Sequence, residues 1–290
     1  MNRMDTKRRA AIVAALVEGV GIRSTCRMTG ASKGAVTRLI SELGPACAAY
    51  MDQAFHDLPC SVLEVDEIWA FCYAKSKNVP SDKKGTFGFG DVWTFTAICA
   101  DTKLIPSYMV GPRDGGTATE FCQDLAGRLA GRAQITSDGL KIYEGAMADA
   151  FGGDVDFAML QKIYAAAPGG ETRYSPAECI GCQKQAISGS PDPKRVSTSY
   201  VERANLSMRM GLRRYTRLTN GHSKKLENHC AALAIYFMHY NFARIHSTIR
   251  CSPAMAAGVT PHLWSIAEIV ELLPAEAPKK RGPYKKKTPS

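Results

Sequence analysis

Apolar residues recur at helical spacing through residues 6–18, where Ile12, Val13, Leu16 and Val17 fall on one face and Thr6 stands at the place of a cap. Gly19 and Gly21 break that pattern. A short second helix follows over residues 22–28, then a tight turn at Thr29-Gly30-Ala31. Ser32 caps a third helix that turns Val36, Leu39 and Ile40 inward and is expected to end at Gly44-Pro45. Two helices, a Gly-containing turn and a capped helix predict a helix-turn-helix unit over residues 1–48, with Lys33, Thr37 and Arg38 of the third helix pointing outward to DNA.

Residues 46–60 read as a helical linker ending near Pro59, after which the dominant period changes. Residues 62–73, 92–100 and 105–110 are rich in β-branched and aromatic residues and are joined by polar turns, which predicts an antiparallel meander. Helical spacing returns at 117–129, with Phe121, Leu125 and Leu129 on one face. A short buried strand at 133–136, a helix at 146–151 and a strand at 155–163 complete the series. This order is that of an α/β, ribonuclease-H-like fold, a mixed five-stranded sheet flanked by helices, here expected over residues 58–258. Residues 165–198 are Gly-, Pro- and Ser-rich and read as an inserted loop. Helices are expected at 201–214 and 225–241, with short ones within 252–273. Residues 274–290 read as a basic disordered tail.

Charge sharpens this picture by its placement. The chain of 290 residues carries a formal +10. Residues 1–44 hold eight Lys/Arg against three Asp/Glu, residues 279–290 hold six with no acid, and residues 194–225 hold nine against Glu202 alone. Three separate basic stretches suit a polyanion that touches several parts of the protein. The ten cysteines show no disulfide framework, and the single C-x-x-C at Cys179 and Cys182 lacks the second pair a structural zinc site needs. No signal peptide and no apolar run of the ~20 residues a span requires is seen, which predicts a cytoplasmic, nucleoid-associated protein with no membrane partner.

Within the basic frame three acids stand out. Asp66 lies inside an apolar strand among Leu63, Val65, Ile68 and Trp69, where a carboxylate is costly unless paired, protonated or bound to metal. Glu64 and Glu67 compete with it for that position. Asp138 follows an apolar strand and precedes Gly139, and Glu202 opens a basic helix. Such carboxylates can hold two hard cations, Mg²⁺ or Mn²⁺, which activate a nucleophile and stabilise the leaving oxygen at a phosphodiester. Asn205 and Arg209 fall at i+3 and i+7 from Glu202 and share its face, while Arg203, Arg213 and Arg214 are placed to hold backbone phosphates.

The strings Asp66-Glu67-Ile68-Trp69, Thr136-Ser137-Asp138-Gly139 with Tyr143-Glu144, and Tyr200-Val201-Glu202-Arg203-Ala204-Asn205 continuing to Arg209 resemble bacterial insertion-sequence transposases of the DDE type, nearest in look to the group of insertion sequence one. The resemblance covers residues 62–245. It implies a ribonuclease-H-like fold, Asp66, Asp138 and Glu202 as the catalytic, metal-binding triad, and a homodimer or larger assembly on double-stranded DNA, with transposon terminal repeats and target DNA as partners. Two departures stand beside it: no C-x-x-C precedes the helix-turn-helix, and residues 165–198 are long for the link between the second and third acids. The expected function is metal-dependent strand cleavage and strand transfer. A helix-turn-helix transcriptional regulator and an inactive transposase remnant are the alternatives.

Overall fold

The computed structural model describes residues 4–165, 179–217 and 219–274, so the basic tail and the middle of the expected insert lie outside the described residues. Three helices come first: α1 (Thr6–Val17), α2 (Ile22–Thr29) and α3 (Lys33–Ala54). Asp5, rather than Thr6, caps α1 by accepting from the Arg8 amide. Ser32 caps α3 as expected, accepting from the Ala35 amide. Gly30 takes the left-handed conformation, φ 66°, that lets the chain turn between α2 and α3.

The third helix does not stop at Gly44-Pro45. It runs on to Ala54, with Pro45 inside it. The lost backbone hydrogen bond is offset by packing, because Leu43, Gly44, Cys47 and Met51 are all buried and α3 lies along α7. What reads as a linker is therefore the second half of one helix.

Strands β1 (Val62–Cys72), β2 (Gly90–Cys99) and β3 (Tyr108–Gly111) form the expected meander. Helix α4 (Gly115–Ala126), capped by Asp114, leads to β4 (Ala133–Ser137), and α5 (Ile142–Phe151) leads to β5 (Val155–Tyr164). The sheet order is β3-β2-β1-β4-β5-β6, with β1, β4 and β5 mutually parallel and β2, β3 and β6 antiparallel to their neighbours. Central β1 is buried along most of its length because helices cover both faces of the sheet.

The sheet has six strands, not five. The sixth, β6 (Cys179–Ser188), arises inside the stretch expected to be a loop and pairs with β5. Its side chains are mostly exposed, so it carries no apolar alternation to betray it, and its ladder rests on backbone hydrogen bonds. Cys179 and Cys182 lie on this strand as exposed free thiols.

After β6 come α6 (Ser199–Gly211), a 3-10 turn at Arg213–Tyr215, and α7 (Leu226–Met238), extended by a π turn at His239–Ala243. Short helices α8 (Pro253–Ala256) and α9 (Ile266–Glu271) follow, the latter opened by a Ser265–Glu268 capping box. Helix α1 packs on α9, and buried side chains of α1 and α3 join those of the sheet and α7 in one apolar cluster. No helix among the described residues is long and apolar enough to cross a membrane.

Candidate functional site

The parallel pairing of β1 with β4 ends at Val65 opposite Ser137, so the next residues of the two strands, Asp66 and Asp138, emerge side by side where the ladder stops. Side chains alternate along β1. Asp66 faces α6, and its Oδ2 accepts from Asn205 Nδ2 at 2.8 Å. Glu67 faces the other way, accepting from Tyr143 Oη at 3.3 Å and from Arg113 Nε at 2.8 Å. One carboxylate oxygen each of Asp66, Glu67 and Asp138 nevertheless lies within 4.8 Å of the others. Three acids so close repel one another, and the cluster has the character of a cation site.

The electrostatics agree. Burial, then the neighbouring Glu67 and Asp138 charges, push the Asp66 carboxyl up to about 7, against hydrogen bonds from the Glu67 amide and Asn205 that favour the ionised form. Burial, then Asp138, also raises Glu67, while Arg113 opposes the shift. Arg113 itself stacks 4.6 Å over the Trp93 ring and is fixed there. Asp138 Oδ1 accepts from the Leu140 amide at 3.0 Å, an Asx turn that orients the carboxylate.

Two polar atoms next to the cluster are buried and have no partner: Asn205 Oδ1 and Arg209 Nη1. The first is an oxygen suited to a hard cation or its water, and the second is a donor suited to a phosphate oxygen. Carboxylates plus an unpaired amide oxygen are the donor set that Mg²⁺ or Mn²⁺ takes.

Glu202 stands apart from the three acids. Both of its carboxylate oxygens pair with Lys162 of β5, and Thr198 Oγ1 donates to one of them at 2.7 Å. It sits one helical turn before Asn205, so it borders the cluster without joining it in this conformation. Glu64 has a third role. Its buried carboxylate accepts from the Tyr200 and Val201 amides at 2.6 and 2.9 Å, holding the N-terminus of α6 against β1. Burial raises its pKa, and those two amides pull it back. Replacing Glu64 with Leu strands both donors, so stability should fall by about 2 kcal/mol. Urea unfolding of E64L measures it.

The remaining expected contacts divide by place. Lys33 and Arg38 are exposed on α3, but the Thr37 hydroxyl is used within the helix, donating to the Lys33 and Gly34 carbonyls. Arg203 is exposed on α6. Arg213 and Arg214 lie past the end of α6, beyond Arg209. Of the residues around the acids, Arg113 and Lys162 carry no signal in the sequence, and Tyr143 stands only within the Tyr143-Glu144 string. Glu67 has a sequence signal as a competitor for the Asp66 position, whereas Arg113 and Lys162 reach their partners across 46 and 40 residues.

No protein family matches the chain, and no curated protein does. Among solved structures it is similar to a piggyBac transposase synaptic complex with hairpin DNA, at 11% identity and TM-score 0.38, covering 94% of this chain and 70% of that one. It is similar to the Mos1 mariner paired end complex with Mn at 10% identity and TM-score 0.28, covering 82% and 76%. It is also similar to the C-terminal lobe of a budding yeast Argonaute at 9% identity and TM-score 0.23, covering 77% and 56%. At TM-scores this low the likenesses carry neither function nor site residues to this chain.

Proposed function

We propose that this protein is a DNA transposase that binds transposon ends and performs metal-dependent strand cleavage and strand transfer. One observation carries the reading: Asp66 and Asp138 emerge together at the ends of adjacent parallel strands, with Asn205 and Arg209 of a basic helix beside them. Asp66, Asp138 and Glu202 would hold two divalent cations, Mg²⁺ or Mn²⁺, with Glu67 as a nearby fourth carboxylate. When bound, such cations lower the pKa of an attacking hydroxyl and neutralise the leaving oxygen.

The chain's own residues position the substrate. Arg209 turns its unpartnered Nη1 to a phosphate oxygen, and Arg203 holds the backbone nearby. Glu202 leaves Lys162 to reach the cluster, and the freed ammonium becomes a further phosphate contact. Water attacks the phosphorus at the element's end and the bond to the 3′ oxygen breaks, giving a 3′-hydroxyl and a 5′-phosphate. That hydroxyl then attacks a target phosphodiester, displacing another 3′ oxygen. The two steps use one site because their in-line geometry and charge development are alike. Helices α2 and α3 act as the helix-turn-helix over residues 1–48, with Lys33, Thr37 and Arg38 toward the terminal repeat and residues 58–258 as the catalytic unit. A homodimer or larger assembly pairs two ends in the nucleoid-bearing cytoplasm.

Nicking and strand transfer of end-bearing DNA, with Mg²⁺ or Mn²⁺ and with chelator, test the reading. Glu202→Gln should lower both activities by about 10³-fold and Glu67→Gln by less than about tenfold. The reverse ranking would make Glu67 the third ligand. Cutting without joining would make the protein a nuclease, and tight binding without either would make it a regulator or a remnant.

A further inference from the structure

Past α6 the chain turns back at the 3-10 turn Arg213–Tyr215 and loops to α7, and the α1–α2 turn lies against this segment. The space between them is a cavity of about 930 Å³, at the upper end of the range for ligand sites. Its floor is apolar, from Leu16, Val17, Ile40, Leu212 and Ile235. Its walls carry five cations, Arg23, Lys33, Arg213, Arg214 and Lys224, together with His222, whose pKa is lowered by burial and the Lys224 charge, and no Asp or Glu lines it.

None of the four arginine and lysine residues Arg23, Lys33, Arg213 and Lys224, nor Arg214, pairs with a carboxylate among the described residues. Arg214 is held in place by the Ser223 hydroxyl, to which its Nη1 donates at 2.6 Å. Ser223 in turn meets His229, which meets the Tyr215 hydroxyl, so the wall is braced from behind. His222 Nδ1 is buried without a partner, while its Nε2 lies 2.7 Å from Lys224 Nζ. A cluster of like charges around a concavity repels itself until an anion neutralises it. The location also matters. Lys33 opens α3, and Arg213 begins the 3-10 turn just past the end of α6, the helix that carries Arg209, which feels the Asp66 charge. The cavity thus lies between the proposed reading helix and the carboxylates.

We propose that this cavity binds one nucleotide of a DNA strand, with its phosphate among Arg23, Arg213, Arg214 and Lys224, and its sugar and base on the apolar floor. The proposal rests on the DNA reading only for the source of that nucleotide, and its test needs no catalysis. Binding of a fluorescent single-stranded oligonucleotide is measured across salt in chelator, alongside histidine ¹⁵N spectra. R23E/K224E should weaken binding more than about tenfold and flatten the salt slope by about 0.7, since each neutralised phosphate contributes ~0.7. K77E/K84E, an equal charge change at exposed sites between β1 and β2, outside the basic stretches and the cavity lining, should leave both near wild type. The His222 ring signals should move when oligonucleotide is added. Equal loss in the two double variants, or a His222 signal that stays still, overturns the pocket. A signal moved by adenosine monophosphate but not by oligonucleotide overturns the DNA source. These outcomes stand apart from the transposase reading, because wild type can hold the oligonucleotide and never nick, or nick with the cavity variants binding normally.

Discussion

Asp66→Asn should abolish metal-dependent nicking, by about 10³-fold or more, and at the same time make the metal-free protein more stable above neutral pH. The two effects share one cause. The Asp66 carboxyl is raised from 3.8 to about 7, first by burial and then by Glu67 and Asp138. A folded-state pKa above the unfolded value means the stabilising contribution is full below about 4 and is lost as pH climbs to about 7. Above that, the native state carries a buried negative charge beside two others. Asparagine removes the charge and keeps the shape. The shift corresponds to at most ~4 kcal/mol, and asparagine gives back part because it cannot accept from both the Glu67 amide and Asn205. A net gain of about 1–2 kcal/mol at pH 8 should remain and reverse to a net loss of about 2–3 kcal/mol near pH 4, where the wild-type carboxyl is neutral and asparagine still lacks one of the two hydrogen bonds.

Added Mg²⁺ should reverse the ranking. A cation that binds only the native state stabilises by mass action, so wild type should gain in melting temperature with Mg²⁺ and D66N should not. Thermal melts at pH 5 and pH 8, in chelator and in Mg²⁺, provide the check. A variant destabilised at pH 8 in chelator would show that Asp66 is a structural acid, held by Asn205 and the Glu67 amide for the fold's sake.

Asp66 was legible because a charge among Leu63, Val65 and Ile68 breaks its surroundings, and Asp138 because it follows a strand whose end the apolar run marks. Their adjacency follows once β1 and β4 are parallel neighbours. Glu67 was harder, since strict alternation sends it to the opposite face, and only the end of the β4 ladder lets it approach Asp138. The Lys162–Glu202 pair joins residues on a strand and a helix, which no local period encodes. Strands with apolar alternation could be read and β6 could not, because a ladder needs no particular side chains on a solvated face. Gly44-Pro45 misled for a related reason. Both residues are punctuation in isolation, and tertiary packing decides whether the helix obeys them.

That packing makes Gly44 the position where a small change should cost most. A Cβ built there would overlap the Cα and Cβ of Ala231 on α7 and lie 2.6 Å from its carbonyl oxygen. Glycine in a helix interior ordinarily costs about 1 kcal/mol against alanine, yet here it allows two backbones to touch. Gly44→Val should therefore destabilise by about 3 kcal/mol or more, because relief requires α3 and α7 to part along their length and uncover Leu43, Cys47 and Met51. Gly34 is the control. It is exposed in the same helix with nothing within 4 Å of an added Cβ, so Gly34→Ala should stabilise by about 0.5–1 kcal/mol. Urea unfolding followed by helix signal and by tryptophan emission separates two pictures. Because α1 and α3 share their apolar cluster with the sheet, both probes should shift together in G44V. Loss of helix signal ahead of the tryptophan transition would mean that the first three helices melt alone, as an autonomous reading module, and that the contact with α7 is a hinge rather than a shared core.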